Sequence, residues 1–164
     1  MKKAICLLFA VLMVLSLTGC NPTQTFAHLE MTMQVPEGMQ NVTVDDDMAE
    51  SHIVFALEKG DFLIAGVRQE ISTIENGLSM TPTDYANLIV QEKGLIGRAT
   101  VGERKSKGYV YLRFSWPHEN GINEYFCGVY KTSTAFWFLQ MNGLTEGFDE
   151  GKWFSYLDSV TFSQ

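Results

Sequence analysis

The sequence predicts an α+β fold, an antiparallel β-sheet flanked by helices. Three observations carry this. Short segments with a two-residue hydrophobic period recur along the chain between turn signals. Two segments carry helix punctuation instead, one mid-chain and one near the C-terminus. One late segment, "TAFWFLQM", is apolar on both faces, as a central strand covered from both sides is.

The elements follow in order. In "FAHLEMTMQVP", Leu29, Met31, Met33 and Val35 share one face, and His28, Glu30, Thr32 and Gln34 the other, which predicts one half-buried strand. "PEGM" breaks it, and "NVTVDDDMAES" reads as loop or weak strand with an acidic turn. "HIVFALEKGDFLIAGVRQEI" predicts two strands joined by the Glu58–Asp61 turn, in which Gly60 supplies a positive φ. "STIENGLSM" is a loop. In "TPTDYANLIVQEKG", Thr81 is a natural N-cap, Pro82 fits the first helical position, Asp84 sits three residues after the cap and Gly94 ends the helix. Tyr85, Leu88 and Ile89 form its apolar stripe.

The β pattern then resumes in "GLIGRATVGER", "YVYLRFSW", "INEYFCGVYKT" and "TAFWFLQM". In "YVYLRFSW", Val110, Leu112, Phe114 and Trp116 face one way, and Tyr109, Tyr111, Arg113 and Ser115 the other. "DEGKWFSYLDSV" predicts a short helix with Trp153, Phe154 and Leu157 inward, and "VTF" a closing strand.

The first residues carry a different message. Lys2 and Lys3 precede an apolar run from Ala4 to Leu17, shorter than the roughly 20 apolar residues of a membrane span. A basic start, an apolar middle and small residues at the end describe a secretory signal. Leu17-Thr18-Gly19-Cys20 resembles the bacterial lipobox, an aliphatic residue and two small ones before an obligatory cysteine. That resemblance implies cleavage after Gly19 and a diacylglyceryl thioether on Cys20. Residues 1–19 are then the signal peptide, 20–25 the lipidated cysteine with a short polar tether, and 26–164 a single domain. The expected location is extracytoplasmic, at the outer leaflet of the plasma membrane or at the outer membrane. Two acyl chains supply the double signal that stable anchoring needs, at about 0.8 kcal/mol per buried methylene.

Composition narrows the function. The chain without residues 1–19 has 10 basic and 19 acidic side chains, a net of −9 with histidine neutral. Nucleic-acid binding needs clustered Lys and Arg, so it is not expected. The one basic cluster, Arg104 to Lys107, is followed by Gly108 and reads as a hairpin turn. Cys6 lies in the apolar leader, so Cys127 is the remaining thiol, and its strand-like setting predicts a buried one.

The chain offers little for catalysis. His28, His52 and His118 lack metal-binding spacing, and solvated roles are expected. Asp45, Asp46 and Asp47 lack the alternate ligands and glycine of a calcium loop, and read as a solvated turn. G-x-S-x-G and G-x-G-x-x-G are absent. No catalytic, cofactor or metal site is assigned, and a dispersed pair of carboxylates stays open because such pairing is spatial.

The order of elements supports a family resemblance. A strand ending in "VPEGM", a hairpin, a strand ending in "VRQEI", a helix opened by "TPTDYANLIV", meandering strands and a closing "WFSYLDSVTF" are similar to the PsbP/DcrB-like lipoproteins, which share a fold with the Ran-binding Mog proteins. The resemblance spans most of residues 26–163 and rests on patterns rather than motifs. It implies a sheet flanked by helices, no shared catalytic residues, and action by binding other proteins. The expected function is a monomeric, membrane-anchored module that binds or supports an envelope or membrane protein. A small envelope hydrolase with a dispersed site and a ligand-binding lipoprotein are the alternatives. A two-lobed solute-binding clamp normally needs more chain than 145 residues.

Overall fold

The computed structural model describes residues 22–163. The lipobox, Cys6 and Cys20 lie outside the described residues. Among the described residues, ten strands and three α-helices follow one another. β1 (Thr23–His28), β2 (Met31–Pro36) and β3 (Gln40–Val42) precede α1 (Asp46–Glu50), β4 (Ile53–Lys59) and β5 (Phe62–Glu70). Then come α2 (Pro82–Glu92), β6 (Thr100–Arg104), β7 (Tyr109–His118), β8 (Gly121–Lys131), β9 (Ala135–Leu144), α3 (Glu150–Asp158) and β10 (Thr161–Phe162). No helix among the described residues is long and apolar enough to cross a membrane.

Seven strands form an antiparallel sheet in the order β3-β4-β5-β9-β8-β7-β6. The doubly apolar β9 is its middle strand, as its sequence predicts. Phe136, on one face, stacks on Tyr85 of α2 at 4.5 Å and packs with Val110, Leu112, Cys127 and Val129. On the other face, Trp137, Leu139 and Met141 pack with Trp153, Tyr156 and Leu157 of α3 and with Met31, Met33 and Val35 of β2. The α+β sandwich expected from the sequence is therefore the one observed, with a three-stranded sheet, β1-β2-β10, as an additional part of the second layer.

Helix punctuation is as read. Thr81 accepts from the Asp84 N–H and the Asp84 carboxylate accepts from the Thr81 N–H, a complete capping box, and Pro82 opens α2. Gly60 and Gly94 hold φ values of +59° and +64°. The Lys105–Lys107 turn joins β6 to β7.

Several expectations are corrected. "FAHLEMTMQVP" is two strands, because the chain reverses at Leu29–Glu30 with Leu29 at φ 51° and exposed. The alternation is a core pattern only from Met31 onward. The tether read over residues 21–25 ends earlier, since β1 starts at Thr23 and pairs with Pro36. Its residues look like a linker because β1 is an edge strand, so Thr23 and Thr25 face solvent while the Gln24 amide donates to the Met39 carbonyl at 3.2 Å. Strand β1 thus takes in Thr23, Gln24 and Thr25, which the sequence assigned to the tether. "GLIGRATVGER" is strand only from Thr100, because Gly94 and Gly97 both turn the chain at positive φ. α1 was not expected; Asp45 caps it. In α3, Tyr156 is buried and Phe154 half-buried. Trp116 keeps its predicted facing but is 41% exposed, because β7 runs out past the helix that covers its neighbours.

Gly66 shows how tightly neighbouring strands of the large sheet pack. It pairs with Phe55, and a Cβ built on it would lie 2.1 Å from the Phe55 ring. Gly66→Ala should cost about 1–3 kcal/mol through overpacking. A urea unfolding curve measures this, and an unshifted midpoint would mean that the Phe55 ring has room to move.

Candidate functional site

Polar networks first secure the two layers. Glu30, in the β1–β2 turn, accepts from Arg68 Nε of β5 at 3.0 Å and from Trp137 Nε1 of β9 at 3.0 Å. Arg68 also pairs with Glu70. Burial alone would raise the Glu30 carboxyl, but hydrogen bonds from its own backbone, Arg68 and Trp137 outweigh it and hold it below the usual carboxylate range. This clamp fastens the small sheet to the large one. At the end of α3, Asp158 accepts from Arg104 and from the Tyr109 hydroxyl at 2.8 Å. Burial opposes its ionisation too, and the same two donors outweigh it. Arg104, read from sequence as part of a basic turn, is thereby committed to an internal pair.

The other candidates from sequence are dispersed. Cys127 is fully buried, and burial pushes its thiol far above the range where a thiolate forms. His28 packs 5.5 Å from Phe55, His52 occupies a positive-φ turn before β4, and His118 ends β7. Asp45 accepts from the Met48 N–H at 2.9 Å as the N-cap of α1. Among the described residues no three His, Cys, Asp or Glu side chains converge as a metal site would require.

An open groove of about 480 Å³ lies between the β4–β5 turn and the start of α3. Its floor is aromatic. Phe62 lies 5.2 Å from Trp153 and 6.3 Å from Tyr156, and Gly143 on β9 leaves space beside Phe62. Its rim alternates in charge, with Lys59 and Lys152 against Asp61 and Glu146. Burial, and secondarily the charge of Asp149, raises the Tyr156 phenol, so it stays a neutral hydrogen-bonding group. An apolar floor with a mixed polar rim has the chemistry of a binding surface. Sequence reading missed it because its parts come from four separate stretches. Only the exposed charges flanking Gly60 hinted at it.

The groove also has a position. Pro36 forms one of its edges, and Thr23 pairs with Pro36. The Glu37 N–H donates to the Pro22 carbonyl at 3.0 Å, and Lys59 Nζ donates to the Glu37 carbonyl. The groove therefore opens beside the point where the chain arrives from Cys20.

Comparisons with known proteins address the fold. No family model and no curated protein matches the sequence. The chain has a PsbP-like fold. It is similar to the solution structure of cyanobacterial PsbP (CyanoP) from Synechocystis sp. PCC 6803, with a TM-score of 0.58 and 14% identity over 88% of this chain and 95% of that one. A crystal structure from Bacteroides thetaiotaomicron VPI-5482 is similar at a TM-score of 0.56 and 8% identity, over 88% of this chain and 50% of that one. The chain spans half the length of the latter.

Proposed function

We propose that the protein is a membrane-anchored, extracytoplasmic lipoprotein that acts without catalysis, as a monomer, by binding a membrane protein of the cell envelope in the Phe62–Trp153–Tyr156 groove. The observation that carries this reading is the position of the groove. With β1 starting at Thr23, only Asn21 and Pro22 separate the domain from Cys20. A span of that length reaches about 10 Å. Lipid on Cys20 would hold the groove close to the bilayer, where a partner in the same membrane meets it at high effective concentration. The PsbP-like fold fits the resemblance to PsbP/DcrB-like lipoproteins, which implies action by protein binding.

A ligand-binding lipoprotein is the second reading, favoured by a groove volume within the range of about 300–1,000 Å³ typical of small-molecule sites. A photo-crosslinking residue placed at Glu146, on the groove rim, separates the two. Ser106, in the turn between β6 and β7, is the control position. The protein-binding reading expects a membrane-protein adduct in intact cells from position 146 and none from position 106. Equal capture at both positions, or none at 146, would count against it.

A further inference from the structure

We infer that the tip of the β7–β8 hairpin is a second membrane contact, which places Trp116 and Ile122 in the headgroup region of the bilayer while the lipid on Cys20 holds the other side of the same end of the domain. The inference rests on the anchor reading above.

The strand register defines the two ends of the sheet. The β4–β5 turn closes at Lys59 and Phe62, Leu63 pairs with Asn142, Asn142 with Tyr125, and Tyr125 with Phe114. The hairpin tip at His118–Gly121 therefore projects from the same end of the sheet as the Gly60 turn. A shallow recess lined by Gly60, Asp61, His118 and Asn120 joins the two tips directly. The Gly60 turn is in turn tied to Pro22 through Lys59 and Glu37. One end of the domain thus carries both the arriving chain and the hairpin tip.

That end also carries exposed apolar surface. Trp116 is 41% exposed, Ile122 53% and Ile96 72%, and Ile96 lies in the loop leading into β6, whose first residue, Thr100, pairs with Arg113 three residues before Trp116. Pro117 pairs with Ile122 just before the polar turn His118–Gly121, on the face opposite Trp116, so apolar side chains occupy both faces of the hairpin. A projecting hairpin with apolar residues on both faces suits insertion into a layer better than docking on a flat surface. Trp combines an apolar ring with a polar N–H and favours the membrane–water boundary. The Arg98 guanidinium lies 4.2 Å over the Trp116 ring. Arg98 makes no ion pair among the described residues, so its donors are free for a lipid phosphate. The exposed lysines of the Lys105–Lys107 turn sit at the opposite end, since Arg104 pairs with Tyr109 at the far end of β7. Attraction to anionic lipid through those lysines would turn the domain the other way, so the two orientations are experimentally distinct.

The full-length protein is purified from membranes and reconstituted into phosphatidylcholine/phosphatidylglycerol vesicles, with or without brominated phosphatidylcholine as a tryptophan quencher. Flotation of the vesicles reports the anchor, and quenching reports the tip. Brominated lipid should lower tryptophan emission, and Trp116→Phe should abolish that loss, since Trp137 and Trp153 are buried. A Trp116→Phe, Leu78→Trp protein carries its reporter at the opposite end, near Lys131, and should stay unquenched. Protein that floats while brominated lipid leaves emission unchanged, or quenches the Trp116→Phe protein equally, overturns the membrane contact and leaves the anchor standing. Quenching of the Leu78→Trp reporter overturns the orientation. Protein that does not float overturns the anchor and this inference with it.

Discussion

Cys20→Ala is expected to abolish lipid attachment completely. A thioether needs a thiol, and no other side chain near the end of the leader has one: Thr18, Gly19 and Asn21 flank the cysteine. Cys127 cannot substitute, since it is fully buried in β8 beneath α2. Cys6 lies inside the apolar run, away from the small residues at which a peptidase would approach the backbone. Without its acyl chains, which contribute about 0.8 kcal/mol per buried methylene, the variant also lacks the double signal that stable anchoring needs. Mass spectrometry of the N-terminal peptide reads the outcome. The parent should begin at Cys20 with added acyl mass, and the variant should carry none. An unmodified Cys20 in the parent, or cleavage elsewhere, would remove the lipoprotein reading.

Trp137→Ala should destabilise the domain by about 3–5 kcal/mol, the range for a buried aromatic replaced by alanine. Trp137 has no exposed surface, lies on the middle strand and packs against the α3 layer. It also does something a smaller side chain cannot. Its indole N–H donates to Glu30, and Arg68 lies over its ring at 5.9 Å. Truncation leaves a cavity and strips one donor from a carboxylate that burial already disfavours. The measurement is urea unfolding of residues 22–164. A start at residue 26 would remove the first half of β1 and confound the comparison. A midpoint equal to that of the parent would mean that Trp137 does not hold the two layers together.

The parts of the fold legible in sequence are those fixed by local chemistry. The α2 capping box, the Gly60 turn and the two-sided apolarity of β9 each follow from a few adjacent residues. β1 was hidden because an edge strand tolerates polar residues, so "NPTQT" looks like linker. The small sheet was hidden because β10 pairs with β2 across more than 120 residues of chain, Thr161 with Thr32. Alternation puts Trp116 on the face of Val110, Leu112 and Phe114, but it does not tell how far the covering helix extends, so the exposure of Trp116 was not legible. The groove has no sequence motif, since Lys59 and Phe62, Gly143, and Trp153 and Tyr156 meet only after folding. The proposed anchor is the reverse case, an expectation drawn from four adjacent residues that lie outside the described part of the chain.

The claim that joins anchor and groove is proximity: the protein works because its groove is held against the membrane that contains its partner. Inserting about 20 Gly/Ser residues between Asn21 and Pro22 tests this most directly. Such a linker adds a root-mean-square span of roughly 25 Å while leaving Cys20, Asn21 and every residue of β1 in place. Capture of the partner from a photo-crosslinker at position 146 is compared in cells carrying the short and long spacers. A clear fall in capture is expected with the long spacer at equal protein level and equal lipid modification. Undiminished capture would contradict it, and would mean that the groove finds its partner without being held near the bilayer.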